Sequence, residues 1–465
     1  MILAIAYALF AIACCVLAFR RHPIYALYFY LSTTYVHPPS RWWANLYLPD
    51  LRWAVLSAAI CVLAVLVSRD KLNQRPPLTT SVPVIVIALY AALMWVQTLW
   101  ALGIEEHVWG TEIYTKYLIA VWFVYRIADT KEAIRNVMLF HGAGCALLGV
   151  IARYYEQRDV TGRIEGVGGP GIDDANSLGM FLCVGAVIGL SLFMSQRGWR
   201  RWASLGMLAI AFVGWTMTES RGAFVGLAAG VMVLLVLLLR VRTRAALGVG
   251  LLALMMLVVI VRRDQGIVER LSTIGDVTAA KDDEEADGSA RSRSVIIRAQ
   301  LEMARDYPFG AGFRGTGVLS PLYLESDYLV GKGRDSNSGR SSHNTFLTAL
   351  VEQGLIGAAL YLALVAWVLA TIVRLFGMSS RKARDPELVM LACGLCAGLV
   401  TVLVAGMATD YLIAEVQFWL IGLLVSALRI AAPPVGTAPT LQRAAAAQRD
   451  EPLDPIAARR QHGRV

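Results

Sequence analysis

Long apolar runs separated by short polar connections dominate this chain, with apolar segments near 1–19, 23–36, 52–68, 82–102, 112–128, 134–155, 175–195, 203–218, 222–240, 245–262, 355–375, 387–408 and 411–430. Many approach the roughly 20 residues that a helix needs to cross a bilayer. Stretches such as Val84–Ala101, Phe224–Leu239 and Leu247–Val261 hold few or no charges. Lipid offers no water to the backbone, so each run must satisfy its own hydrogen bonds and forms a helix. The short alternating segments of a β-barrel do not occur. The pattern predicts an all-α polytopic membrane protein of about twelve transmembrane helices. Residues 1–262 are expected to hold about ten spans, 263–344 a long partly helical loop, and 345–430 the C-terminal spans. The first segment lacks a basic start and a clear cleavage signal, and is read as a retained helix.

Composition agrees with the pattern. Of 465 residues, 57% are hydrophobic and 17% charged, against roughly 25% charged in ordinary globular domains. The net charge of +9 invites a nucleic-acid reading, but its distribution argues against one. Basic residues gather in short connections: Arg69, Lys71 and Arg75; Arg197, Arg200 and Arg201; Arg240, Arg242 and Arg244; Arg374, Arg381, Lys382 and Arg384. That is the positive-inside pattern, which assigns these loops to the cytoplasm. The opposite connections, roughly 37–51, 103–111, 156–174, 219–221, 263–344 and the turn near Asp410, are then expected to face the periplasm. The Pro/Ala/Arg-rich tail 431–465 has no period and is expected to be disordered in the cytoplasm.

The seven cysteines all fall inside apolar stretches, so no disulfide framework is implied. Cys393 and Cys396 have CxxC spacing but lie mid-helix, without histidine or acidic company. Glu105, Glu106 and His107 are adjacent in sequence and do not easily converge on one ion. No metal-binding constellation is found elsewhere, and no cofactor is expected.

The long loop opens with an acidic stretch, 281–287, expected to be mobile, followed by a helix predicted near 292–306. In that helix Ile297, Leu301 and Ala304 fall on one face, while Arg291, Arg298 and Arg305 recur every seven residues. Pro308 and the Gly-rich run from Gly310 to Gly317 end it.

Three polar features stand at boundaries of apolar segments. Thr218-Glu219-Ser220-Arg221-Gly222 is a charged turn between two spans. An arginine there is a functional candidate, or a snorkelling anchor held by Glu219. Arg298 on the loop helix is a second candidate; the alternative is a solvated face with an i,i+4 pair to Glu302. The third is Ser341-Ser-His343-Asn344, where the loop gives way to an apolar helix. Asn344 or Ser342 suits the N-cap, and Gly354 suits a break before the next span. His343 titrates near neutral pH unless perturbed; a lone histidine is otherwise structural. Asp173, Asp174 and Asn176 open a span beside a Gly-rich loop, where they suit the helix cap. Asp410, in the last turn, is a candidate to orient His343 or an arginine.

Ser220-Arg221-Gly222, the long loop near the C-terminal end, Arg298…Pro308-Phe-Gly-Ala-Gly312, and His343-Asn344…Leu347…Leu350…Glu352…Gly354…Gly357 together resemble the O-antigen ligase and polymerase superfamily. The Arg20-Arg21-His22-Pro23 and Tyr35-Val-His37-Pro38-Pro39 segments are similar to a subgroup associated with exopolysaccharide systems. The resemblance implies a GT-C-like, metal-independent glycosyltransferase. Its donor is a glycan on undecaprenyl pyrophosphate, and its acceptor in the ligase is a sugar hydroxyl of lipid A–core. Arginine's planar fork suits the pyrophosphate leaving group; Arg221 and Arg298 are the first candidates, with Arg163, Arg314 and Arg340 in reserve. His343 is the candidate base for the acceptor hydroxyl, and Asp173, Asn176, Asn344 and Asp410 are candidate sugar-binding or orienting groups. Expected partners are the lipid-linked donor, lipid A–core and membrane lipids, with no nucleic acid. The same motifs suit an O-antigen or exopolysaccharide polymerase or a protein O-oligosaccharyltransferase. A transporter of lipid-linked glycan is the rival of a different class, but it predicts ionisable residues deep in several spans and an internal repeat. The charges here sit at span ends.

Overall fold

The computed structural model describes residues 1–73, 75–154, 164–238, 284–325, 329, 342–379 and 385–431. The expected span 245–262, Arg240, Arg242, Arg244, Arg381, Lys382 and Arg384, and the tail beyond Ala431 lie outside the described residues, as do Arg163 and Arg340. Among the described residues the chain is helical, with no strand.

The helices are α1 (Ile2–Arg20), α2 (Ile24–Val36), the short α3 (Trp42–Tyr47), α4 (Trp53–Val67), α5 (Val82–Gln97), α6 (Ile104–Ile127), α7 (Lys131–Tyr154), α8 (Ala175–Ser195), α9 (Trp199–Thr216) and α10 (Arg221–Leu238). After the long loop's α11 (Glu284–Asp306) and α12 (Gly315–Tyr323) come α13 (Thr345–Met378), α14 (Pro386–Ala405) and α15 (Glu415–Ala431). Among the described residues six are long and apolar enough to cross a membrane: α1, α7, α8, α10, α13 and α14. Two shorter apolar helices, α4 and α5, accompany them.

Local chemistry explains several boundaries. Asp174 caps α8, its carboxylate accepting from the N–H groups of Asn176 and Ser177. Asp385 caps α14, with Pro386 in the first turn where no N–H partner is needed. Asn344 caps α13.

Helices α8 and α14 form the centre, each 94% buried over its apolar window. Small residues allow close approach around them. On α10, Gly226 and Gly230 face α14 one turn apart, against Thr401, Ala405 and Ala397, and Gly222 meets Ala408 in the turn after it. Packing of this kind binds helices together where lipid removes the hydrophobic drive between them.

The bundle has two chemically different ends. At one, Lys131 bonds Asp385 at 3.0 Å and Glu387 at 3.3 Å, and Arg135 bonds Glu387 at 3.1 Å. Gln196 also donates to Glu387 at 3.0 Å, and Asn73 N–H to Asp129 at 2.9 Å. Arg75 donates to Ser426 and Arg429 to the Pro76 carbonyl. The connections carrying Arg69–Arg75, Arg197–Arg201 and the approach to α14 are therefore brought to one end. At the other end lie the 37–41 turn, the 164–174 loop, the 217–220 turn, the 307–314 segment, the start of α13 and the 406–414 turn.

Helix α11 starts at Glu284 rather than near 292, so Glu284–Asp287 are helical rather than a mobile acidic stretch. Its buried face also differs from the expected one. Ile296, Ala299, Met303 and Ala304 pack with Ala311, Leu319, Leu324 and Val351, whereas Ile297 and Leu301 stay about half-exposed. Two apolar stripes run side by side on this helix. Contact with α12 and α13 selected the one with small Ala299, which permits closer packing.

Candidate functional site

The polar boundary residues gather around the 406–414 turn. Asn344 caps α13 by accepting from Phe346 N at 2.9 Å and Leu347 N at 3.2 Å, and its amide donates to the Met407 carbonyl at 3.2 Å. Thr345 N–H donates to the Gly406 carbonyl at 2.7 Å. The Thr345 hydroxyl donates to the Thr409 carbonyl at 2.9 Å and accepts from Tyr411 N at 2.8 Å. His343, exposed and one residue before this cap, is thus fixed beside the turn that carries Asp410.

The same turn reaches α8 and α10. Tyr411 donates its hydroxyl to the Asn176 carbonyl at 2.9 Å. The Asn176 side-chain oxygen accepts from the Ser220 hydroxyl at 3.0 Å. Ser220 is buried directly before Arg221, and Glu219 takes a left-handed φ of 52° to make the tight turn. A Cβ on Gly222 would stand 2.8 Å from that of Ala408, so the head of α10 also abuts the turn. His343, Asn344, Asp410, Asn176 and the base of Arg221 are therefore connected through one set of contacts. Asp173 is exposed beside them, its carbonyl accepting from Gly166 N at 2.7 Å. The capping role belongs to Asp174.

The 308–314 segment forms a second wall. Gly354 (φ 68°, ψ −170°) interrupts α13, and the segment lies across this break. Ala311 N donates to the Val351 carbonyl at 3.0 Å, Gly312 N to that of Glu352 at 2.8 Å, and Leu355 N to that of Pro308 at 2.9 Å. Gln97 donates to the Phe309 carbonyl at 2.8 Å and Trp100 to that of Gly310 at 3.1 Å. His107 accepts from Phe313 N at 2.8 Å through Nδ1 and donates to the Met94 carbonyl at 2.7 Å through Nε2. Its two ring nitrogens therefore tie this segment to α5.

Arg314 ends the segment at the N-cap of α12, with a left-handed φ of 60°. Its N–H donates to the buried Glu352 carboxylate at 2.9 Å, and its guanidinium lies 5.2 Å from the centre of the Trp109 ring. Burial raises the Asp410 carboxyl above the ordinary range; the N–H of Leu412 and the charge of Arg314 act in the opposite direction. Arg298 is exposed on α11, and no described contact joins it to this group.

Further residues belong to the frame. Glu352 links α13 to Arg314, Tyr411 and Ser220 connect three elements, and Gln97 and His107 hold the second wall. Glu352 was visible as a carboxylate inside an apolar helix; the others carry no signal beyond a polar residue near a span end. The 37–41 turn borders the site through Arg41, which donates to the carbonyls of Val36 and Val167. Burial and Arg41 lower the pKa of His37, and Asp173 partly counters them.

A titratable imidazole, boundary guanidiniums, and amide and carboxyl groups around one turn suit an anionic, polyhydroxylated ligand whose hydroxyl must lose a proton. The O-antigen ligase family matches residues 206–362, from within α9 to within α13. The match takes in Arg221, Arg314, His343, Asn344 and Glu352. No curated protein matches the chain. The family implies a glycosyltransferase-like ligase or polymerase activity carried out by a multi-pass membrane protein. With apolar helices around the matched segment, this match supports membership of the O-antigen ligase and polymerase superfamily.

Proposed function

We propose that this protein is an O-antigen ligase, which transfers a glycan from undecaprenyl pyrophosphate to a sugar hydroxyl of lipid A–core. The observation that carries this reading is the meeting of His343, Asn344, Asp410, Asn176 and Arg221 at the end opposite the basic connections. By the positive-inside rule the basic end is cytoplasmic, so the site faces the periplasm of the inner membrane. Lipid-linked glycan and lipid A–core meet on that side. The full bundle is read as about twelve spans of GT-C-like organisation.

In this mechanism Arg221 and Arg314 bind the pyrophosphate, with Arg298, Arg163 and Arg340 as further candidates. His343 takes the acceptor hydroxyl proton as its oxygen attacks the anomeric carbon. The bond from that carbon to the pyrophosphate oxygen breaks, configuration inverts, and undecaprenyl pyrophosphate leaves with the bonding pair. Fixed guanidinium charge stabilises the leaving oxygens as their charge grows. Asp173, Asn176 and Asn344 supply donors and acceptors for sugar hydroxyls, and Asp410 orients the neighbouring cationic groups.

Purified protein reconstituted with undecaprenyl-pyrophosphate-linked glycan and rough lipopolysaccharide should produce a ladder on lipid A–core without metal or nucleotide. His343→Ala should remove at least about 100-fold of that rate, as expected for loss of a general base, with membrane insertion unchanged. Full activity in the variant would remove His343 from the mechanism. Chain growth on the donor alone would identify a polymerase, and absence of bond formation would return the transport reading.

A further inference from the structure

Helix α12 stands apart from the rest of the long loop. Gly315–Tyr323 contains no charged residue, and the side it turns away from the protein is apolar. Thr316, Leu319 and Ser320 are buried, whereas Val318 and Leu322 are 50% and 76% exposed, with Pro321 between them. A helix outside the spans with apolar residues on its free side is unstable in water but suits a lipid interface.

The surroundings continue this surface into the apolar flank of the bundle. A Cβ on Gly103 would lie 3.6 Å from the Val318 side chain, and Gly103 is flanked by exposed Leu102 and Ile104. The Leu102 N–H donates to the Ala311 carbonyl at 3.0 Å, fixing this connection to the segment before α12. On the other side Phe309, 69% exposed, adjoins Leu355 through the Pro308 carbonyl. Leu355 and Ile356 open the exposed apolar side of the α13 span. Trp100 and Trp109, both partly exposed, lie along the same rim, the usual place of tryptophan at a headgroup boundary.

We propose that α12 lies in the membrane interface, with Val318 and Leu322 against lipid acyl chains. Its occupant is the leaflet at the site end of the bundle, because the apolar face is continuous with the span surface of α13. Arg314, at the N-terminal end of α12 and stacked on Trp109, then stands at the depth of lipid phosphates. That its phosphate belongs to the glycan donor rests on the proposed function; the membrane placement does not.

The test is a depth measurement. Leu322→Cys carries an environment-sensitive fluorophore in nanodiscs of phosphatidylethanolamine and phosphatidylglycerol, with wild-type protein labelled in parallel as background for the native cysteines. Arg305→Cys, at an exposed polar position of α11, is the reference. The expected result is blue-shifted emission from position 322, quenched by lipids carrying a nitroxide high on the acyl chain and little by iodide, with the reverse at 305. Quenching of 322 by iodide to the same extent as 305 would overturn the proposal. Protection from both quenchers would also overturn it, since another protein surface would then cover the helix. Transfer activity does not enter the measurement, so loss of the ligase reading would leave its result unaffected.

Discussion

Gly354 shows how one backbone position shapes the candidate site. Its φ of 68° and ψ of −170° lie in a region that is nearly exclusive to glycine. A Cβ there would also stand 2.5 Å from the Pro308 carbonyl oxygen and the Phe309 carbonyl carbon. Gly354→Ala should therefore lower stability by about 1–3 kcal/mol from backbone strain alone, measured by thermal unfolding in detergent. It should also loosen the 308–314 segment and lower transfer activity. An unchanged midpoint would contradict the contact. The sequence marks Gly354 as a helix breaker and Pro308–Gly312 as a loop. It does not join them, because the pairing is made by backbone hydrogen bonds across the break in α13 and is braced by Gln97 and Trp100, more than 200 positions from the segment. Asn176 and Tyr411 are 235 positions apart, so their hydrogen bond leaves no local pattern to read.

At the scale of elements, the glycines of α10 decide how closely Arg221 approaches the 406–414 turn. A Cβ on Gly226 would lie 2.5 Å from the Thr401 carbonyl oxygen and 2.9 Å from the Ala405 Cβ. Backbone cannot give way as a flexible side chain can, so Gly226→Ala should push α10 off α14. The expected loss is about 1–3 kcal/mol, with reduced activity because Arg221 moves with the helix. Gly206→Ala on α9 is the matched control, since nothing lies within 4 Å of its added carbon. It should be neutral or stabilising by up to ~1 kcal/mol from helix propensity. Equal effects of both substitutions would rule out the packing account. Helix α11 gives the converse case, where periodicity favoured Ile297 and Leu301 but packing buried Ile296, Ala299 and Met303.

Across the whole molecule, the two ends make separate predictions. At the basic end Asp385 ties α14 to α7 through Lys131. Burial alone would raise its carboxyl, but the Leu388 N–H and Lys131 outweigh it and hold the pKa below the ordinary value. A carboxyl depressed by folding contributes stability above its unfolded pKa of about 3.9 and loses that contribution as pH falls through the depressed value. Asp385→Asn should thus lower the unfolding midpoint at neutral pH and show less further loss than wild type between about pH 5 and 3. Parallel acid curves would remove Asp385 from that transition. Sidedness is tested by cysteine accessibility: in spheroplasts an impermeant maleimide should label Glu165→Cys at the site end and not Arg197→Cys at the basic end. The opposite pattern would invert the assigned orientation.

The sequence by itself determined the helical membrane class, the placement of polar groups at span ends and the motif that points to glycan transfer. The first two follow from short-range physics: apolar runs in lipid must close their own hydrogen bonds, and charge is costly except at their ends; the third rests on resemblance to a family. Only the tertiary structure decided which ends meet. It brought His343, Asn176, Arg221 and Asp410 around one turn, set Glu352 beneath Arg314, and left the charge-free face of α12 turned outward. Those outcomes depend on the rotation of each helix about its axis and on contacts between distant segments. Side-chain volume and backbone approach fix both, and hydropathy along the chain does not record them.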